Sequence, residues 1–189
     1  MARIGVLALQ GAFREHVDIV RGLGYECSEI RKAEELDEIH GLIIPGGEST
    51  AMGKLLVDFG IKDILAEKIK GGLPVWGTCA GMILLAKDIA DQENTHLSLM
   101  DIKVRRNAYG RQLGSFFCEA PVTGVASDVK MPFIRAPYIE KAGEGVDILS
   151  VVDDNIVAAR EDNLLVTSFH PELTDDTRLH RYFIENMVG

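Results

Sequence analysis

The chain has 189 residues, 47% of them hydrophobic, which is enough for one substantial core, and it reads as a single domain over residues 1–189. A net charge of −9 with no basic stripe excludes nucleic acid and an anionic membrane surface as main partners. One basic residue and a short apolar run at the start fit neither a signal peptide nor a spanning helix, so a cytoplasmic protein is expected; Cys27, Cys79 and Cys118 are too widely spaced for a disulfide framework or a zinc cluster and read as reduced thiols.

Arg3 to Leu9 reads as a buried strand ending at Gln10-Gly11, and Phe13, Val17 and Val20 mark one face of a helix that stops at Gly22-Leu23-Gly24. Tyr25 to Ile30 follows as a strand, Ala33 to Ile39 as a short acidic helix, and Gly41 to Ile44 as an apolar strand cut off by Pro45-Gly46-Gly47. Ser49 or Thr50 is placed to cap a helix carrying Met52, Leu55, Leu56 and Phe59, and a second amphipathic run covers Ile61 to Ile69. Leu73 to Thr78 is a short strand that runs straight into a helix at Cys79. Strand and helix alternate here as in a parallel sheet covered on both faces, where a site lies beyond the carboxyl ends of the strands.

After Lys87 the pattern becomes short and β-prone: Leu97 to Val104, Ser115 to Val122, Phe133 to Ile139 and Val146 to Val152 read as antiparallel strands added to the sheet's edge or folded over the site. Asn155 to Ala159 and Leu164 to Phe169 pair around the turn Glu161-Asp162-Asn163. The second ends in His170-Pro171-Glu172, after which Thr174 or Asp175 is expected to cap a closing helix bearing Leu179, Tyr182, Phe183 and Met187.

Chemistry concentrates at Gly77-Thr78-Cys79-Ala80-Gly81. This Gly-x-Cys-x-Gly frame is the thiol form of the elbow that presents a nucleophile above a sheet, at a helix start whose partial positive charge favours a thiolate. The same stretch alone fits a buried cysteine at a strand end equally well. A cysteine nucleophile needs a base and an orienting group. His170 and Glu172, two apart in an extended segment, would project together from the strand that reaches the same rim. Oxyanion donors are available in the Ala80 N–H and in Gly47, where the Pro-Gly-Gly turn allows close backbone approach. Read alone, that loop is also a plain strand-to-helix turn; a phosphate cradle is disfavoured because no Gly-Lys-Ser/Thr ending follows. His16, His40, His96 and His180 lack metal-ligand spacing and read as structural or solvated. Trp76 is expected to pack beneath the elbow.

The elbow, His170-Pro171-Glu172 and the Pro-Gly-Gly loop together resemble the class I (triad) glutamine amidotransferases. With Leu7-Ala8-Leu9-Gln10-Gly11-Ala12-Phe13, Pro45-Gly46-Gly47-Glu48-Ser49-Thr50 and Arg105-Arg106-Asn107-Ala108-Tyr109-Gly110-Arg111-Gln112, the resemblance narrows to the glutaminase subunits of pyridoxal phosphate synthases and runs along essentially the whole chain. It implies an α/β fold, a flavodoxin-like three-layer sandwich with a mostly parallel central sheet and an antiparallel β extension. It also implies hydrolysis of L-glutamine to glutamate and ammonia by Cys79, His170 and Glu172, with no cofactor and no metal. On that resemblance Gly47, Glu48, Ser49, Arg106, Ile134 and Arg135 hold the substrate, Gly47 and Ala80 form the oxyanion hole, and Gln10 lies at the junction with a barrel-shaped synthase subunit that receives the ammonia. A glutaminase feeding another acceptor and a binding module without turnover are the competing readings.

Overall fold

The computed structural model describes residues 2–106 and 114–189. Five strands, β1 (Arg3–Leu7), β2 (Glu26–Ile30), β3 (Gly41–Ile44), β4 (Val75–Thr78) and β12 (Leu164–Thr167), lie side by side in the order β2-β1-β3-β4-β12, all parallel. This is the flavodoxin-like order. The sheet then turns antiparallel through β11 (Asn155–Glu161) and β9 (Tyr138–Ala142), continues to β6 (Met100–Arg105) and β5 (Ala86–Ile89), and carries β10 (Asp147–Val152) on β11. A separate hairpin pairs β7 (Ser115–Val122) with β8 (Ala126–Ile134).

Alternation along the parallel strands divides the apolar side chains between two cores. Leu7, Leu42, Ile44, Val75 and Val166 face α2 (Ser49–Asp58), α3 (Lys62–Lys70) and α4 (Ala80–Leu85). Ile4, Val6, Ile43, Trp76 and Leu165 face α1 (Phe13–Gly22), α5 (Arg178–Tyr182) and the β7–β8 hairpin. Helices thus cover both faces, giving three layers. Among the described residues no helix is long and apolar enough to cross a membrane.

Several local expectations shift. The cap of α2 is Glu48, whose carboxylate accepts from the Thr50 and Ala51 N–H groups, so neither Ser49 nor Thr50 serves. Before α5 the turn is held by Asp176, which accepts from Arg178 N at 3.1 Å, while Thr174 and Asp175 do not cap it. The run Phe133 to Ile139 is broken into the end of β8 and the start of β9, because Arg135 takes a positive φ of 45°. Phe59, expected on the core side of α2, stands just past its end and is exposed.

Trp76 packs on the α1 and α5 face of β4 rather than against the helix that follows the elbow. It is fully buried, its Nε1–H donates to Thr167 Oγ1 at 3.1 Å, and its ring meets those of His180 and Phe183 at centroid distances of 4.9 and 5.9 Å. That hydrogen bond ties β4 to β12 across the layer that carries the site. Trp76→Ala should therefore lower the unfolding free energy by ~3–5 kcal/mol, measured by urea titration followed by circular dichroism; a loss under ~1 kcal/mol would mean that the ring is not the packing centre of this face.

Candidate active site

The carboxyl ends of β1, β3, β4 and β12 form one rim. The register aligns Ile44 with Gly77 and Thr78 with Thr167, so the Pro45-Gly46-Gly47 loop, Cys79 and the His170 turn leave the sheet at the same level. Cys79 takes φ 49° and ψ −104°, a conformation that non-glycine residues adopt only when their surroundings hold them there. Its N–H donates to Thr167 O at 2.8 Å and α4 starts at the next residue. Crowding explains the flanking glycines: a Cβ on Gly77 would lie 2.6 Å from the Gly81 carbonyl group, and one on Gly81 would lie 2.2 Å from Ile44 O. Both obstacles are backbone and cannot rotate away.

His170 arrives by a different local route from the one expected. Pro171–Leu173 is a 3₁₀ turn rather than an extended segment, and it is this bend that sets His170 Nδ1 2.7 Å from Glu172 Oε1. The His170 N–H donates to Pro132 O at 2.9 Å, so β8 holds the turn from the side. Asp176 reinforces it, accepting from Lys130 N and from the Arg178 guanidinium. The His170 ring also interacts with Cys79, which favours its charged form. A Cβ on Gly46 would fall 2.4 Å from His170 Cε1 and 3.4 Å from Cys79 Cβ, so only glycine lets the loop sit over this pair.

The remaining candidates line a cleft of about 420 Å³ above the thiol, formed by Gln10, Gly47, Glu48, Ser49, Cys79, Ala80, Arg106 and Arg135, among others. Gly46 O accepts from Ala12 N at 3.0 Å, and Gln10 Oε1 accepts from Glu48 N at 2.8 Å, so the first strand's end anchors the loop. Ser49 is buried and its hydroxyl has no partner among the described residues. Arg106 reaches Glu48 at 3.3 Å. Ile134 ends β8 beside Arg135 and is half-exposed. Asn107 to Gln112 of the Arg-Arg-Asn motif lie outside the described residues. Among the described residues, no three His, Cys, Asp or Glu side chains gather in a way that could hold a metal ion.

Electrostatics differ sharply across the site. Burial opposes charge on His170, but its interactions with Cys79 and Glu172 prevail and raise its pKa to about 10. Burial pushes the Glu48 carboxyl up, yet the Ala51 and Thr50 N–H groups and the Arg106 charge hold it below the usual range. Two histidines, read from the sequence as structural or solvated, stand buried behind Glu172. His16 and His180 are fully buried with Nδ1 and Nε2 2.9 Å apart, and His16 Nε2 lies 3.5 Å from Glu172 Oε2. Burial holds His180 down to about 3, and burial together with the charges of His180 and His170 keeps His16 well below its ordinary value. His16 is therefore neutral, and its contact with Glu172 is not an ion pair. A signal was present: Phe13, His16, Val17 and Val20 fall on one helical stripe.

A strained cysteine at a strand-to-helix elbow thus meets a histidine and a carboxylate from the end of a parallel strand, on a flavodoxin-like sheet. The chain belongs to the SNO glutamine amidotransferase family, whose model matches residues 6–189. It is 56% identical to a pyridoxal 5'-phosphate synthase subunit PdxT of Clostridium botulinum, covering 100% of this chain and 98% of the relative. To the protein of the same name from Carboxydothermus hydrogenoformans it is 55% identical, covering 98% and 97%. A solved structure described as a glutamine amidotransferase superposes with a TM-score of 0.92 at 47% identity over 96% of this chain and 97% of that one. The structure of PurLQS from Thermotoga maritima, at 18% identity and a TM-score of 0.72 over 91% and 89%, shares the fold.

These shifts set the pH dependence of stability. His16 and His180 bind protons when unfolded but not when folded, so between the unfolded value near ~6.5 and the depressed folded values, stability falls with acidification. His170 has the opposite sign: its raised value stabilises fully below ~6.5, and that contribution is lost as pH rises towards about 10. Urea midpoints should therefore peak near pH ~6.5, and His180→Gln should flatten the acid limb above pH ~4.5, where the carboxylates do not yet contribute. An unchanged acid limb in that variant would overturn the assignment.

Proposed function

We propose that the chain is the glutaminase subunit of a pyridoxal 5'-phosphate synthase, releasing ammonia from L-glutamine through Cys79, His170 and Glu172 and passing it to a barrel-shaped synthase subunit. The observation that carries the reading is the meeting of the Cys79 thiol, the His170 ring and the Glu172 carboxylate under Gly46, in a chain 56% identical to a PdxT subunit.

In this mechanism the Cys79 sulfur attacks the side-chain amide carbon of glutamine while its proton is held on His170 Nε2. The oxyanion that forms takes N–H donors from Gly47 and Ala80. His170 then protonates the amide nitrogen, the C–N bond breaks, and ammonia leaves a glutamyl thioester. Water adds to the thioester as His170 takes its proton, the C–S bond breaks, and glutamate departs with the thiol restored. Glu172 holds Nδ1–H and balances the imidazolium. The unpartnered Ser49 hydroxyl, Glu48 and the backbone of Gly47 face the substrate, and the Arg106 and Arg135 guanidinium groups suit its α-carboxylate. Ile134 adds an apolar contact at the rim.

Ammonia released into water would be protonated and lose its nucleophilicity, which is the chemical reason for delivery to a docked partner. Gln10, bonded to the loop at Glu48 N, stands where such a partner would cover the rim, and the Gly46-Gly47 peptide can reorient at small cost. Ammonia release from glutamine should be slow for the isolated chain, rise when the synthase subunit is added, and drop by at least about a thousand-fold in Cys79→Ala under both conditions. Equal rates with and without the partner would remove the switch; an active Cys79→Ala would remove the nucleophile.

A further inference from the structure

We propose that His16 is a positioning residue for Glu172: held by His180 in its Nε2–H tautomer, it supplies the hydrogen-bond donor that Glu172 Oε2 otherwise lacks. This rests on the Cys79-His170-Glu172 reading above.

The Glu172 side chain has no exposed surface. One oxygen is engaged by His170 Nδ1, while Oε2 meets no donor at hydrogen-bonding geometry among the described residues. A buried carboxylate left in this state is costly, since it has lost water and gained nothing on that side. The His16 ring is what stands opposite, with Nε2 3.5 Å from Oε2 and 3.4 Å from Thr78 Oγ1. The first turns of α1 carry it there, and the Trp76 ring packs T-shaped against both imidazoles, at 5.7 and 4.9 Å.

Each neutral ring carries one N–H, so the 2.9 Å contact between His16 Nδ1 and His180 Nε2 has two possible directions. If His16 donates, its Nε2 lone pair faces the carboxylate and the Thr78 hydroxyl, and the proton on His180 Nδ1 is a buried donor with no acceptor among the described residues. If His180 donates, His16 Nε2–H points at Glu172 and Thr78, and what remains at His180 Nδ1 is a lone pair without a donor. The first arrangement sets a lone pair against the carboxylate; the second sets an N–H there. N–H groups then face Glu172 from both sides, His170 bonded to Oε1 and His16 Nε2–H 3.5 Å from Oε2. The carboxylate cannot rotate without losing one of them, and the His170 ring stays aimed at Cys79.

The direct test is nitrogen-15 NMR of the histidine rings in the full chain near neutral pH, assigned with His16→Gln and His180→Gln. Protonated Nε2 and bare Nδ1 on both rings is the expected result, and a proton on His16 Nδ1 overturns the proposal whatever the enzyme does. The second test is ammonia release in the complex with the synthase subunit. His16→Leu should lower kcat by roughly ten- to a hundred-fold with KM changed less than about two-fold, because His16 touches no substrate. His16→Gln, whose amide N–H can reach the same point, should stay within about five-fold of wild type. Equal losses in the two variants overturn the donor role. If His16→Leu does not fold, a loss beyond about ten-fold in a folded His16→Gln does so. Activity in Cys79→Ala would instead sink the triad reading and leave the ring spectrum to decide the tautomer.

Discussion

The parallel pairing of β4 with β12 is the constraint on which the rest depends. It joins chain segments far apart in sequence, opposes Thr78 to Thr167, and so lets Cys79 and His170 leave the sheet at one level. Two further contacts hold that register. Trp76 donates to Thr167 Oγ1 beneath the rim, and Cys79 N donates to Thr167 O at it. A slip of one residue would send the thiol to the other face of the sheet, since side chains alternate along a strand.

The elbow costs free energy locally, and its neighbours hold it. A non-glycine residue at positive φ is disfavoured by of order 1–3 kcal/mol. Cys79 stays there because β4 is buried on both sides, α4 begins at Ala80, and the close approach of Gly77 to Gly81 and of Gly81 to Ile44 leaves no looser path for the chain. The same crowding brings Gly46 against the His170 ring. Glycine at 46, 77 and 81 is thus a packing requirement, and it makes the rim intolerant of any added carbon.

Much of this was readable from the amino acids because it rests on period and on backbone chemistry. The buried strands alternate, the Pro-Gly-Gly and Gly-x-Cys-x-Gly stretches mark sharp turns, and the last apolar strand leads to His170. What escaped was fixed by tertiary context. Glu48 displaced Ser49 as the cap because its longer carboxylate reaches two N–H groups at once. His170 and Glu172 meet through a bend that Pro171 starts at the first position of a 3₁₀ turn, where its missing N–H is no loss, and not through the alternation of a strand. Arg135 breaks its strand with a positive φ, and its N–H donates to Gly114 O; no local sequence rule predicts this. His16 lay on an apolar helical stripe, but only the docking of α5 shows that its partners are another histidine and a carboxylate.

The two halves of the site differ in the strength of what holds them. Behind Cys79, the Glu172, His16 and His180 side chains have no exposed surface, so each displaced contact would leave a buried polar group unpaired. In front, the loop is held by single hydrogen bonds from Ala12 and to Gln10 and by the Glu48–Arg106 pair, whose side chains are 52% and 26% exposed. Exposed pairs of this kind contribute ~0–1 kcal/mol. A partner covering the rim can therefore reset the loop with modest binding energy, whereas reorienting the histidine would require opening a dry core. Under the proposed function, control belongs on the side of this loop, with His170 and Glu172 kept rigid throughout.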